Sequence, residues 1–359
     1  MALAPAFAVA GITCEERQCE DGLLRLLGEI ASSPAHIFGH DDDPVYGHDW
    51  WATPGRSDVL ETAGDYPGLM NWDLGGLELD SSANLDGVDF GRMRLEIIGQ
   101  DKRGGLNSFS WHSRNPNTML DAWAPDSLDA VKLSLEKGTP ANQRMEQWIG
   151  RVADFIGSLR RADGSRIEVV WRPWHEHTGN WFWWGTGRTS AEAYKSLWKL
   201  TREIFDDKGV DNVIWAYSPD KVASADEYMA RYPGDDYVDI MGADVYHTDG
   251  TDGTRAWLDA MRLTLGSAVE MARKHGKVAA LTETGCEGLA VPDWYETVLL
   301  PAIAEYPVAY ICVWRNAPRW QKEGHFYVPY KGHPQENSFR RYHDNTTTLF
   351  AKDLNQKLK

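Results

Sequence analysis

The run from Val169 to Gly185, VVWRPWHEHTGNWFWWG, sets one carboxylate, Glu176, among tryptophan and phenylalanine rings just beyond a strand-like apolar stretch. A carboxyl group in apolar surroundings resists ionisation, so its pKa rises. A carboxyl that keeps its proton near neutral pH is equipped as a general acid. Flat rings beside it suit the apolar face of a sugar. A second carboxylate, Glu283, closes another apolar run in Leu281-Thr282-Glu283-Thr284-Gly285. One protonated and one ionised carboxyl are the minimum for cutting a glycosidic bond. Tyr246 and Arg172 are placed, by strand position, to keep Glu283 ionised through a hydrogen bond or positive charge. The expected carboxyl separation is about 5–5.5 Å, which implies retention of configuration.

Elements that could hold such a pair recur along the chain. Strand-like runs fall at His36–Asp41, Gly68–Leu74, Gly105–Trp111, Ile167–Trp174, Asn212–Ser218, Val238–Val245, Lys277–Thr282 and Val308–Trp314. Helix-like stretches lie between most of them, at Glu15–Ala31, Asp49–Gly64, Gln143–Arg161, Ala191–Lys208, Thr254–His275 and Asp293–Tyr306, with the second crossover inside Leu77–Gly99. Continuous apolar strands alternating with helices give a parallel sheet covered on both sides, and eight such units predict a single-domain (β/α)8 barrel. Residues 1–34 then form an N-terminal arm and first helix. A doubly wound open sheet is the alternative, weakened by the lack of a Gly-rich phosphate fingerprint after the first strand. Barrel chemistry sits at the carboxyl ends of strands. The residues there are His40 and Asp41, Asp73, Trp111 and His112, His175 and Glu176, then Asp244, Tyr246 and His247, then Glu283, and finally Trp314, Arg315 and Asn316.

Composition narrows the partners. With 37 basic and 53 acidic residues the net charge is −16, which disfavours nucleic acid and anionic membranes. A neutral polymer meets no such repulsion. Seventeen tryptophans are more than a core readily absorbs, so some should serve as exposed platforms. No apolar run is long enough to span a bilayer. Residues 1–11 are apolar without a basic leader-type start, and read equally as a packed arm or the remnant of a signal segment. Cys14 and Cys19 could bridge a short loop or stay reduced. Asn345-Thr346-Thr347 is a lone glycosylation sequon. His175-Glu176-His177 lacks zincin spacing, and Cys-x-x-Cys, Gly-x-Ser-x-Gly and P-loop motifs do not occur, so no metal or cofactor is expected.

Taken together, Arg172-Pro173-Trp174-His175-Glu176 with Gly179-Asn180-Trp181-Phe182-Trp183-Trp184-Gly185 closely resembles the acid/base segment of glycoside hydrolase family 26, mostly β-mannanases. Ser110-Trp111-His112-Ser113-Arg114-Asn115-Pro116, Asp244-Val245-Tyr246, Thr282-Glu283-Thr284-Gly285 and Val313-Trp314-Arg315-Asn316 resemble its other strand-end motifs, in the right order. The resemblance implies Glu176 as acid/base, Glu283 as nucleophile and Tyr246 as the residue orienting it. It implies His175, His112 and Trp314 around the sugar of subsite −1, with Trp181 and Asp244 close by, across the cleavage point. Where members often carry Met-Asn after the acid/base, this chain has His177-Thr178, and His177 is expected to titrate near the site.

The resulting expectation is a secreted, monomeric, cofactor-free endo-β-1,4-mannanase acting on β-mannan or manno-oligosaccharides. An exo-acting mannobiohydrolase, a β-1,3-xylanase or mixed-linkage glucanase of the same family, and an inactive mannan-binding barrel are the alternatives.

Overall fold

The computed structural model describes residues 22–124 and 128–357. Residues 1–21, with Cys14, Cys19 and the start of the first expected helix, lie outside the described residues.

Eight parallel strands close on themselves: β1 His36–Asp41, β2 Leu69–Asp73, β3 Leu106–Ser110, β4 Val169–Arg172, β5 Val213–Tyr217, β6 Ile240–His247, β7 Val278–Cys286 and β8 Tyr310–Val313. Each pairs with its sequence neighbour, and β8 pairs back onto β1 through Ile37–Tyr310 to His40–Val313. The expected (β/α)8 barrel is present as one closed unit. A short strand, Thr348–Leu349, adds to the amino end of β1.

Side-chain alternation along each strand sorts residues into two layers. Ile37, Leu69, Val170, Ile214, Ile240, Ala280 and Tyr310 belong to one buried cluster, which helix Leu23–Ala31 joins through Leu23, Leu27 and Ile30. Phe38, Trp72, Phe109, Trp171, Trp215, Met241 and Leu281 belong to the other, against the surrounding helices. On β4, Val170 points inward, so Arg172, two residues on, does too. The same period puts Asp244 and Tyr246 on the inner face of β6.

The helices at Pro140–Gly157, Ala191–Asp207 and Gly250–His275 match the expected amphipathic stretches closely. Phe90–Lys102 supplies the second crossover. The stretch Asp49–Gly64 departs from expectation. Only Asp58–Ala63 is helical, because Pro54-Gly55 breaks the backbone before it and Ser57 caps a fresh start by accepting from the Leu60 amide. Ahead of that break, Tyr46–Gly47 and Trp50–Trp51 pair as a hairpin over the barrel mouth. Residues 293–306 carry a π-turn, Tyr295–Leu299, followed by the short helix Leu300–Ile303. Cys286 and Cys312 are buried free thiols.

Candidate active site

β4 ends at Arg172, and the chain turns sharply to present His175 and Glu176. Trp174 and Glu176 both have positive φ, 52° and 51°, a conformation that costs side-chain-bearing residues energy. The surroundings fix the turn. Trp174 donates its indole N–H to Thr201 Oγ1 at 3.0 Å, and its carbonyl accepts from the Tyr194 hydroxyl at 3.0 Å. The His175 carbonyl accepts from Trp184 Nε1 at 2.8 Å, and the Glu176 amide donates to the Ser218 carbonyl at 2.8 Å. Gly179 is required where Trp181 folds back, since a Cβ there would lie 2.3 Å from the indole. Trp181, itself 36% exposed, donates its Nε1–H to Glu176 Oε2 at 2.8 Å.

Glu283 reaches the mouth by a different device. The β6–β7 register slips between Ala243–Leu281 and Asp244–Glu283, leaving Thr282 as an extra residue, a β-bulge. Such bulges re-aim the following side chain. β7 consequently runs on to Cys286 instead of stopping at Thr282. Tyr246 donates its hydroxyl to Glu283 Oε2 at 2.7 Å, and the Arg172 guanidinium donates to Glu283 Oε1. Arg172 also donates to Asp244 Oδ2 at 2.7 Å and Ser218 Oγ at 3.1 Å. Burial works against the Arg172 charge, but Asp244 and Glu283 overcome it and hold its pKa above the ordinary arginine value. Both groups expected to serve Glu283 therefore touch it.

Oxygens of Glu176, Asp244 and Glu283 lie within 4.8 Å of one another. Burial pushes the Glu176 carboxyl well above the usual carboxylate range, and the charges of Glu283, Asp244 and Asp220 add to it; the Trp181 hydrogen bond opposes them. The two glutamates are thus close together but differently held, one short of donors and the other supplied with them. Among the described residues these three carboxylates are the one group spaced to grip a cation, yet Arg172 already sits against two of them and supplies the compensating charge.

The cleft has a volume of about 500 Å³, and His112, His175, Glu176, Tyr246, Glu283 and Trp314 all line it. His112 Nδ1 lies 2.5 Å from Asp73 Oδ2, and its Nε2 lies 3.3 Å from His175 Nε2. Burial alone would lower the His112 pKa, but the adjacent Asp73 raises it, helped by Glu283 and Asp86. His175 goes the other way, lowered by burial and then by Arg172 and His112. One imidazole is set to carry charge and its neighbour to stay neutral.

Three expectations need correction. Asp244 does not line the cleft: it is fully buried beneath it, its oxygens taken by Arg172, Ser218 and Thr282 Oγ1 at 2.7, 3.3 and 2.6 Å, so it braces Arg172 and offers nothing to a sugar. His177 is fully buried against Tyr194 and Tyr217, and burial lowers its pKa well below the usual value, so it stays neutral across the working pH range. At other strand ends, His40 bonds Asp43 at 2.7 Å, Asp41 bonds Asn71 at 2.5 Å, Arg315 pairs with Asp86 at 2.9 Å and Asn316 bonds Asp58 at 2.8 Å, so these residues tie the barrel mouth together. Sequence reasoning missed Trp123, which is 46% exposed, lines the cleft and stacks on His112 with centroids 4.8 Å apart. Phe182, Tyr327 and His325 were missed as lining residues too. The high tryptophan count was the one signal for Trp123; loop residues far from strand ends carry no periodic mark.

A closed eight-stranded α/β barrel with two carboxylates facing each other across its carboxyl-end cleft has the architecture of a barrel glycoside hydrolase. The model for glycosyl hydrolase family 26 matches residues 20–292, and the chain belongs to that family. It is 31% identical over 315 residues to a mannan endo-1,4-β-mannosidase of Bifidobacterium adolescentis, covering 82% of this chain and 31% of that protein. A Bacillus subtilis mannan endo-1,4-β-mannosidase is 34% identical over 199 residues, 53% of this chain and 54% of its own. The chain thus spans about a third of the first relative and about half of the second. Among solved structures, a family 26 β-mannanase from Bacteroides ovatus superposes with a TM-score of 0.87 at 44% identity, covering 92% of this chain and 94% of that one.

Proposed function

We propose that this chain is a retaining endo-β-1,4-mannanase. The observation that carries the reading is the close approach of Glu176 and Glu283, oxygens within 4.8 Å, with Arg172 and Tyr246 on one and a pKa-raising environment around the other. That spacing belongs with retaining enzymes, whose carboxyls are about 5–5.5 Å apart, and leaves no room for the water an inverting enzyme places between them. In the first step a Glu283 oxygen attacks the anomeric carbon, the glycosidic C–O bond breaks, and Glu176 gives its proton to the leaving oxygen. In the second, water attacks the same carbon, Glu176 takes the proton back, and the Glu283 carboxylate is released. Mannan as substrate is supported by the relatives named as mannan endo-1,4-β-mannosidases. A polymer is met outside the cell, so the reading includes export, tested by locating the native protein in medium or cytosol, and action as a monomer, tested by gel filtration.

The test is the stereochemistry of the first product. Proton NMR of a manno-oligosaccharide digest should show the β-anomer appearing first and mutarotating afterwards. An initial α-anomer overturns the retaining assignment. Reducing-end release from mannan, but not from mixed-linkage glucan or β-1,3-xylan, is expected alongside a rapid fall in mannan viscosity. A preference for either other polymer overturns the substrate, and mannobiose release without viscosity loss overturns endo-action.

A further inference from the structure

Trp320 is 59% exposed, and among the described residues no ring, cation or hydrogen-bond partner packs on its indole. An indole facing water gains nothing for the fold. The loop that carries it is nevertheless held firmly. The Ala317 amide donates to the His325 carbonyl at 2.8 Å and closes the loop's base. On one flank, the Arg319 amide donates to the His48 carbonyl at 2.9 Å, and the Arg319 side chain pairs with Asp49 at 2.7 Å. On the other, His325 Nδ1 lies 2.5 Å from Glu287 Oε1, with Lys322 3.8 Å from the same oxygen. Both Glu287 and His325 line the catalytic cleft. The loop thus joins the cleft wall through His325 and Glu287, is strapped to the hairpin of Tyr46–Gly47 and Trp50–Trp51 through Arg319, and leaves the Trp320 indole exposed.

We propose that Trp320 is an outlying sugar platform on which a unit of the polysaccharide, remote from the cleaved bond, stacks its apolar face. This rests on the reading of the chain as a polysaccharide hydrolase. The ligand class is a neutral β-linked polysaccharide, which needs no counter-charge from a protein of net charge −16. Pre-anchoring of the loop means that little ordering is required on binding, so the stacking is expressed as affinity. Only substrates long enough to run from the glutamate pair to the rim reach the indole.

The experiment compares the native protein with Trp320→Ala and Trp320→Phe. The panel of mannan, mixed-linkage glucan and β-1,3-xylan first fixes which polymer the native protein cuts. kcat/KM is then measured on that polymer and on its trisaccharide. Trp320→Ala should raise KM for the polymer about fivefold, the weight of one aromatic stacking contact. The polymer-to-trisaccharide efficiency ratio should fall by the same factor, and Trp320→Phe should recover most of it. An unchanged ratio overturns the platform while leaving the catalytic reading intact. Equal losses on both substrates overturn it in favour of a purely structural loop. A native protein that cuts none of the three polymers overturns both readings.

Discussion

Arg172→Met removes the cation set between the buried carboxylates of Asp244 and Glu283. The guanidinium is 2% exposed and contacts Asp244, Glu283 and Ser218. Methionine fills a similar volume without charge, leaving both carboxylates uncompensated. Breaking a buried ion pair by losing one partner costs about 3–5 kcal/mol, a large share of the roughly 5–15 kcal/mol that holds a domain folded. For a chain of this length that corresponds to a melting point lower by roughly 4–7 °C. Adding Asp244→Asn should return part of the loss, because one of the stranded charges disappears. Activity should respond differently. Glu283 lacks the Arg172 donor in both variants and keeps only Tyr246, so kcat should stay about 10²–10³-fold down. Calorimetry and steady-state kinetics on both variants read these effects separately, and Arg172→Lys retains the charge if the methionine variant folds poorly. Stability of Arg172→Met within about 1 kcal/mol of native, or a further drop on adding Asp244→Asn, would refute the claim that Arg172 is the shared counter-ion.

Tyr246→Phe deletes the 2.7 Å hydrogen bond to Glu283 and should lower kcat about 10²-fold with little change in thermal stability; an unaltered kcat contradicts the orienting role. Asp42 is a fully buried carboxyl whose pKa burial and the Asp86 charge push well above the usual range. A raised folded pKa gives stability that is complete below the unfolded value, about 4, and is lost as pH rises through the folded one. Asp42→Asn should therefore flatten the fall in melting temperature between pH 5 and 9, and an unchanged slope would count against it. His177→Met should leave both limbs of the pH–rate profile where they are, because the imidazole is neutral throughout; a displaced limb would restore it as a titrating neighbour.

The barrel was legible because inward and outward residues are both apolar in parallel strands, so each strand appears as a nearly unbroken run, as at Val169–Trp171. Arg172 stood out for the same reason: two residues after Val170, it had to point inward. Glu176 and Glu283 were readable by type and position. The bulge at Thr282 was not, since one extra residue leaves no trace in an apolar run, and β7 is longer than it looked. Asp244 was misjudged because an inward polar residue near a strand end can face either a ligand or another buried charge, and only the Arg172 contact decides between them. Trp123 escaped because its loop conformation depends on contacts with His112 and Phe182, distant in sequence. The stretch Asp49–Gly64 carried helical periodicity that Pro54-Gly55 overruled.

The central claim is that Glu283 bonds covalently to the sugar while Glu176 handles the proton. Incubation with a 2-deoxy-2-fluoro-β-mannosyl fluoride, followed by proteolysis and mass spectrometry, addresses this directly, since the fluorine slows breakdown of the intermediate and the fluoride departs without acid help. The account predicts one fluoromannosyl group per molecule, on the peptide bearing Glu283 and released on reactivation with acceptor sugar. A label on Glu176, or turnover of the reagent with no labelled protein at any time, would contradict it.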